Sequence, residues 1–325
     1  MLADLPLADL RDYRPEVAEP ADFDRFWTDQ LTAARAHRAE PAFTLTDSPV
    51  RHAQVYDVTF PGHGGNPISG WLLAPRAEVP DAAVIVEFIG YGGGRGHPFD
   101  WLRWSAAGHV YLVMDTRGQG GGWRSADTPD PSDGGSPASP GFMTRGIMDP
   151  ATHYYTRLFT DAALAVDAAR SWAGAADRPI VTTGASQGGG LAIAAAHLGG
   201  KVDAVLPDVP FLAHPVRALE VTDAHPYREL ADFCKVNPGR ADQVFATLSY
   251  LDVVNHAKRA TAPALFSVGL ADVITPPSTI FAAFNHYAGP KDIAVYTYSG
   301  HEGGETAHFL AQLDFLRQAG LRPVS

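Results

Sequence analysis

Apolar positions follow two different patterns along this chain. Near the start, residues 20–40 (PADFDRFWTDQLTAARAHRAE) put Phe23, Phe26, Trp27 and Leu31 on one helical face. That spacing predicts an amphipathic helix with Asp22 at its N-cap. Residues 54–60 (QVYDVTF) alternate apolar and polar side chains, the period of a half-buried strand. The turn-forming stretch PGHGGNP then leads into a second run at 68–74 (ISGWLLA), so the pair reads as an antiparallel hairpin.

From residue 82 onward the apolar runs are continuous. They lie at 82–90, 109–115, 179–184, 202–209, 262–269 and 292–298. Short β-branched runs without alternation predict strands buried on both faces of a parallel sheet. Helical patterns fall between and after them, at 155–173, 187–198 and 303–319. The expected fold is α/β, with a doubly wound, mostly parallel central sheet and helices on both faces. Two excursions interrupt it: 118–151, dense in Gly, Pro, Ser and Asp, and 210–260, which is helical in pattern and a candidate cap over a site. Strand–helix alternation resumes after each. Residues 1–325 are therefore expected to form one domain with an N-terminal extension over 1–50.

Composition narrows the function. The chain is 46% hydrophobic and 19% charged, as globular proteins are. A net charge of −11 repels phosphate backbones and argues against a nucleic-acid partner. No run approaches the roughly 18 apolar residues of a membrane span. The first residues, MLADLPLADLRDYRPE, lack the basic-then-apolar order of a signal peptide. Cys234 is the only cysteine, which fits a reducing cytoplasm. Neither a P-loop nor a G-x-G-x-x-G pattern occurs.

The segment TTGASQGGG (182–190) carries the chemistry. Gly184-Ala185-Ser186-Gln187-Gly188 is G-x-S-x-G between a predicted strand and a predicted helix, the context in which that motif presents a nucleophilic serine. Small residues two positions to either side are needed because strand and helix converge there. The serine requires a base, and the base an orienting carboxylate, in the chain order Ser, acid, His. Of the seven histidines after Ser186, His301 alone follows the last predicted strand closely. His197, His256, His286 and His308 lie in helical patterns and read as packing or surface residues, while His214 and His225 lie in the 210–260 excursion and are candidates to line a pocket. For the acid, Asp272 follows the strand at 262–269 and is favoured over its rival, Asp208, one strand earlier. The oxyanion hole needs two backbone N–H donors. Gln187 follows the nucleophile, and Tyr91 lies in the glycine-rich EFIGYGGGRG (87–96). HEGGE at 301–305 is not H-E-x-x-H, and its glycines oppose the helix a zinc site would need.

These residues resemble the acetyl xylan esterase and cephalosporin C deacetylase family, carbohydrate esterase family seven, of the α/β-hydrolases. The resemblance rests on FDRFW, GYGGGRG, DTRGQGGGW (115–123), GFMTRGIMD (141–149), GASQGGG, DVPFL (208–212), HPY (225–227), the stretch from 271 and His301-Glu302. It implies hydrolysis of short acyl esters, chiefly acetyl, of small carbohydrates or cephalosporin-like alcohols, with no metal or organic cofactor. It implies a triad of Ser186, Asp272 and His301, an oxyanion hole at Tyr91 and Gln187, and an acyl pocket formed by Tyr91, Pro226 and Ile274. Arg117 and Glu302 are expected to be structural. A cytoplasmic homo-oligomer, a hexamer, is expected by the same resemblance, with contacts from the N-terminal segment and hairpin. The segments 213–224 and 124–140 depart from the pattern and would reshape the entrance. Two other readings stand beside it: a deacetylase of another small acetylated metabolite, and a non-catalytic binding module on the same fold.

Overall fold

The structure is a computed structural model, and it describes residues 2–37, 39–77, 79, 82–131 and 138–321. The chain opens with two helices, α1 (Leu7–Asp12) and α2 (Phe23–Arg35). Three strands follow: β1 (Ala42–Leu45), β2 (Ala53–Pro61) and β3 (Pro67–Pro75). The main body then runs β4 (Val84–Phe88), α3 (Arg103–Ala106), β5 (Val110–Met114), α4 (Tyr154–Ser171), β6 (Ile180–Ala185), α5 (Gln187–Leu198) and β7 (Ala204–Asp208). Four helices form the second excursion: α6 (Pro215–Val221), α7 (Tyr227–Val236), α8 (Ala241–Ser249) and α9 (Val253–Ala257). The chain closes with β8 (Ala264–Gly269), α10 (Pro277–His286), β9 (Lys291–Tyr296) and α11 (Glu305–Gln318).

All nine strands form one sheet in the order β1-β2-β3-β5-β4-β6-β7-β8-β9. The hairpin β2–β3 is antiparallel, and β3 joins the rest by pairing antiparallel with β5. From β5 to β9 every pairing is parallel. The continuous apolar runs behave as expected: every residue of β4, β5 and β8 is buried. Alternate side chains of β4 divide between two cores. Val84, Val86 and Phe88 face α2, α4, α5 and α9, while Ile85 and Ile89 face Trp104 of α3 and the last helix.

α2 is shorter than the 20–40 stretch that predicted it, and Asp22 does not cap it with its side chain. That carboxylate instead accepts a 2.5 Å hydrogen bond from the Tyr250 hydroxyl and pairs with Arg25. A long-range tie replaces the local cap. The expected face is present, with Phe23, Trp27 and Leu31 buried. The edge strand β1 and the helices α1 and α10 were not anticipated. β1 is mostly exposed and carries no readable alternation. Residues 132–137, the middle of the variable 124–140 loop, lie outside the described residues.

Candidate active site

Ser186 sits on the turn between β6 and α5 with φ 58° and ψ −118°. A non-glycine residue pays for such a backbone, and strain of this kind concentrates at functional turns. Its neighbours hold it there. The Ser186 N–H donates to the Asp208 carbonyl at 2.9 Å, and its own carbonyl accepts from Phe211 N at 2.9 Å. The glycines of the motif are steric requirements. A Cβ on Gly184 would lie 2.5 Å from the Phe88 carbonyl oxygen, and one on Gly188 would overlap that same oxygen.

His301 and Asp272 arrive from the carboxyl ends of β9 and β8. His301 Nδ1 lies 2.8 Å from Asp272 Oδ2. Asp272 is fully buried, and its other oxygen accepts from the backbone N–H groups of Ile274 (2.8 Å) and Thr275 (3.0 Å). The Thr275 hydroxyl donates to Oδ2 at 2.7 Å. A carboxylate can only accept, so Nδ1 carries the proton and Nε2 keeps its lone pair. Asp208, the rival acid, is instead bonded to His308 Nε2 at 2.9 Å and Gln312 Nε2 at 2.7 Å. The structure therefore sets Asp272, and not Asp208, against His301.

Ser186, His301, Tyr91, Pro226 and Ile274 all line one cavity of about 630 Å³, together with His225. Among the described residues, the Ser186 hydroxyl has no hydrogen-bond partner within the protein, and neither do the backbone N–H groups of Tyr91 and Gln187. Two free backbone donors beside a strained serine are what an oxyanion site requires.

Both donor segments are fixed by residues that sequence reasoning gave no role. Gln119 accepts from Gly92 N at 2.7 Å and donates to the Gln187 side chain at 2.9 Å. Gln187 in turn donates to the Ile89 carbonyl at 3.0 Å and accepts from the Tyr155 hydroxyl at 2.9 Å. One buried amide pair thus clamps both segments. The Tyr91 hydroxyl donates to Glu229 of α7 at 2.5 Å and accepts from Phe142 N at 2.7 Å. Burial, with the Glu229 carboxylate beside it, pushes the Tyr91 phenol far above its usual range, so it stays neutral. Burial also raises the Glu229 carboxyl. The RGQ triplet was the available signal for Gln119; nothing local marked Glu229.

The remaining expectations find physical places. Arg117 is fully buried and grips Asp161 through Nε at 2.5 Å and a terminal nitrogen at 2.8 Å. His197 and His256 bond each other at 3.0 Å among Phe23, Trp27 and Phe159, and burial lowers His197 to about 4. His214 stands against Tyr13 and does not line the cavity. Glu302 accepts from Gly300 N at 2.9 Å. Among the described residues no group of His, Cys, Asp and Glu is placed to hold a metal ion, and no helix is long and apolar enough to cross a membrane.

Known proteins are similar to this chain over most of its length. A family model described as acetyl xylan esterase matches residues 1–319. The solved acetyl xylan esterase from Paenibacillus sp. R4 is 39% identical, with a TM-score of 0.89 over 97% of this chain and 99% of that one. Acetyl xylan esterase 1 from Thermoanaerobacterium sp. JW/SL YS485 is 31% identical, with a TM-score of 0.88 over 98% of each chain. Among curated proteins, acetyl esterase Axe7A of Xylanibacter ruminicola is 23% identical over 295 residues, 89% of this chain. The chain spans 65% of that relative's length. An esterase of Pyrococcus furiosus, 13% identical with a TM-score of 0.56, shares the α/β-hydrolase fold alone.

Proposed function

The chain belongs to the acetyl xylan esterase family, and from that membership we propose that it is a serine esterase removing acetyl and other short acyl groups from carbohydrate hydroxyls. The observation that carries this reading is the His301–Asp272 pair opening on the same cavity as the strained Ser186. His301 Nε2 takes the proton of Ser186 as its oxygen attacks the ester carbonyl. The N–H groups of Tyr91 and Gln187 receive the oxyanion, each worth about 3–4 kcal/mol of barrier. The tetrahedral intermediate collapses, the C–O bond to the alcohol breaks, and His301 returns the proton to the departing oxygen. Water then attacks the acyl-enzyme with His301 again as base, releasing the carboxylic acid and restoring the serine. Asp272 holds the imidazole in the tautomer this requires and stabilises the imidazolium.

Tyr91, Pro226 and Ile274 line this cavity, and in this reading they enclose the acyl group and favour acetyl over longer chains. Acetylated xylo-oligosaccharides and cephalosporin-like alcohols are the proposed substrate classes, and the working setting is a cytoplasmic homo-oligomer, a hexamer by family resemblance. The exposed edge strand β1 in the N-terminal region supports such contacts. The whole chain is read as one domain.

A series of 4-nitrophenyl esters of increasing acyl length, run beside Ser186→Ala, tests the reading. Fast acetate hydrolysis that falls with chain length and vanishes in the variant is expected. Full activity in the variant would remove Ser186 as nucleophile, a preference for long chains would contradict the acyl pocket, and a wild type inert on every ester would favour a binding module.

A further inference from the structure

The alcohol half of the ester must lie on the His301 side of Ser186, because that imidazole protonates it as it leaves. A second cleft opens there. It measures about 640 Å³, and Arg103, Ala185 and His301 line both it and the cavity of Ser186. Its far walls are the end of β7 and the first turns of α11, carrying Asp208, Thr306, His308 and Phe309. The triad does not use these residues.

We propose that this cleft is a glycan subsite: it receives the neutral sugar unit next to the acetylated one, so the enzyme works on oligosaccharides better than on acetylated monosaccharides. The inference rests on the esterase reading above and names the substrate class of that same site. Three features carry it. The first is a fixed polar wall. Asp208 Oδ1 accepts from His308 Nε2 at 2.9 Å and Gln312 Nε2 at 2.7 Å, and His308 Nδ1 stands 3.2 Å from the Tyr296 hydroxyl. His308 and Gln312 are buried, so the carboxylate cannot swing. Its second oxygen accepts no hydrogen bond among the described residues, and it offers sugar hydroxyls a pre-oriented acceptor at no ordering cost.

The second feature is an apolar surface inside the polar cleft. The Phe309 ring is held edge-on by Trp104 at 4.8 Å, with the Arg103 guanidinium 5.5 Å from its centroid. A pyranose has an apolar C–H face and a hydroxyl rim, which match Phe309 and Asp208. The third is charge. Asp208, Glu302 and Glu305 border the cleft, and the single guanidinium among its lining residues, Arg103, already pairs with Glu87 at 2.9 Å. A neutral polyol meets no like-charge repulsion there, so of the two proposed substrate classes this cleft favours the sugar over the carboxylate-bearing cephalosporin-like alcohol.

Singly acetylated xylose, xylobiose and xylotriose, with 4-nitrophenyl acetate alongside, provide the test. The wild type is expected to show kcat/KM rising about tenfold from one sugar unit to two. Thr306 is exposed on the first turn of α11, so Thr306→Trp fills the cleft without entering the core. It is expected to erase that rise, bringing the disaccharide down to the monosaccharide. A flat series in the wild type overturns the subsite, as does a rise that survives Thr306→Trp. Activity on 4-nitrophenyl acetate reads the triad separately: a flat sugar series with fast acetate release rejects the subsite alone, whereas inertness on every ester rejects the esterase reading and the subsite with it.

Discussion

Asp272→Asn isolates what the buried carboxylate does, because the surroundings dictate how the amide must sit. Oδ1 accepts from two backbone N–H groups, Ile274 at 2.8 Å and Thr275 at 3.0 Å. An NH2 at that position would face two donors, so the amide oxygen takes it. The NH2 is then forced into the place of Oδ2, 2.8 Å from His301 Nδ1 and 2.7 Å from the Thr275 hydroxyl. There it donates. His301 must accept through Nδ1 and carry its proton on Nε2, the nitrogen proposed to take a proton from Ser186. The geometry is preserved and the tautomer is inverted.

A wrong tautomer in such a triad costs about 10⁴ in kcat, which is about 5.4 kcal/mol at 1.36 kcal/mol per factor of ten. The assay is steady-state hydrolysis of 4-nitrophenyl acetate, with thermal unfolding of wild type and variant in parallel. Both backbone bonds survive, so the melting temperature is expected to stay within a few degrees while kcat falls by three to four powers of ten. A variant retaining a tenth of wild-type turnover would refute the argument, since Asp272 would then be doing no more than buttressing the loop. A large loss of stability would point to the same conclusion.

Gly188→Ala drives a Cβ into the Phe88 carbonyl oxygen, so denaturant titration should show a loss of about 1–3 kcal/mol, as overpacking does, accompanied by a fall in turnover. Gln119→Leu strands Gly92 N–H and leaves the Gln187 amide held only by the Ile89 carbonyl and the Tyr155 hydroxyl; kcat should fall about tenfold with KM little changed, because a buried unsatisfied group costs about 1–3 kcal/mol and Gly92 N–H fixes the loop of the proposed donor Tyr91. Asp252 is buried, and burial raises its carboxyl to about 7. The folded state therefore holds a proton that the unfolded chain releases, so the stability it contributes is fully present below about 4 and is lost as pH rises through about 7. Asp252→Asn keeps both backbone bonds, from His214 N and Val254 N, through its carbonyl oxygen; its melting temperature should gain on the wild type between pH 4 and pH 8, and parallel pH profiles would count against a buried proton.

What could be read from the sequence was whatever a single stretch of chain must do for itself. β4 and β5 are apolar at nearly every position because both their faces are covered, and that pattern needs no knowledge of the neighbours. Ser186 was legible because its glycines answer to local collisions. His301 and Asp272 were legible because the carboxyl ends of parallel strands share one edge. What escaped were partnerships across the chain. Gln119 and Gln187 are 68 positions apart, Tyr91 and Glu229 are 138 apart, and the Tyr250 that claims Asp22 is 228 away. The short edge strand β1 escaped for another reason: with most of its residues exposed, neither face imposes a pattern. Sequence periodicity records burial, and a long-range hydrogen bond leaves no periodic trace.

Those unreadable partnerships give the N-terminal hairpin a part in the proposed reaction, which it never touches. An oxyanion site works only if its donors stay put while charge develops, and the two proposed here come from separate loops. The Tyr91 loop is anchored where Arg95 N–H meets Asp115 at 2.7 Å and where the Arg95 guanidinium bonds Asp57 of β2 at 2.6 Å and the Gly70 carbonyl of β3 at 2.7 Å. The loop that supplies Gln119 is anchored by Arg117 on Asp161, which also accepts from His63 N at 2.8 Å in the turn of that same hairpin. Both supports of the candidate oxyanion site therefore rest on β2, β3 and the turn between them. Loosening that hairpin would unseat the Tyr91 and Gln187 amides together, so damage there should appear as lost turnover while the distant triad residues remain intact.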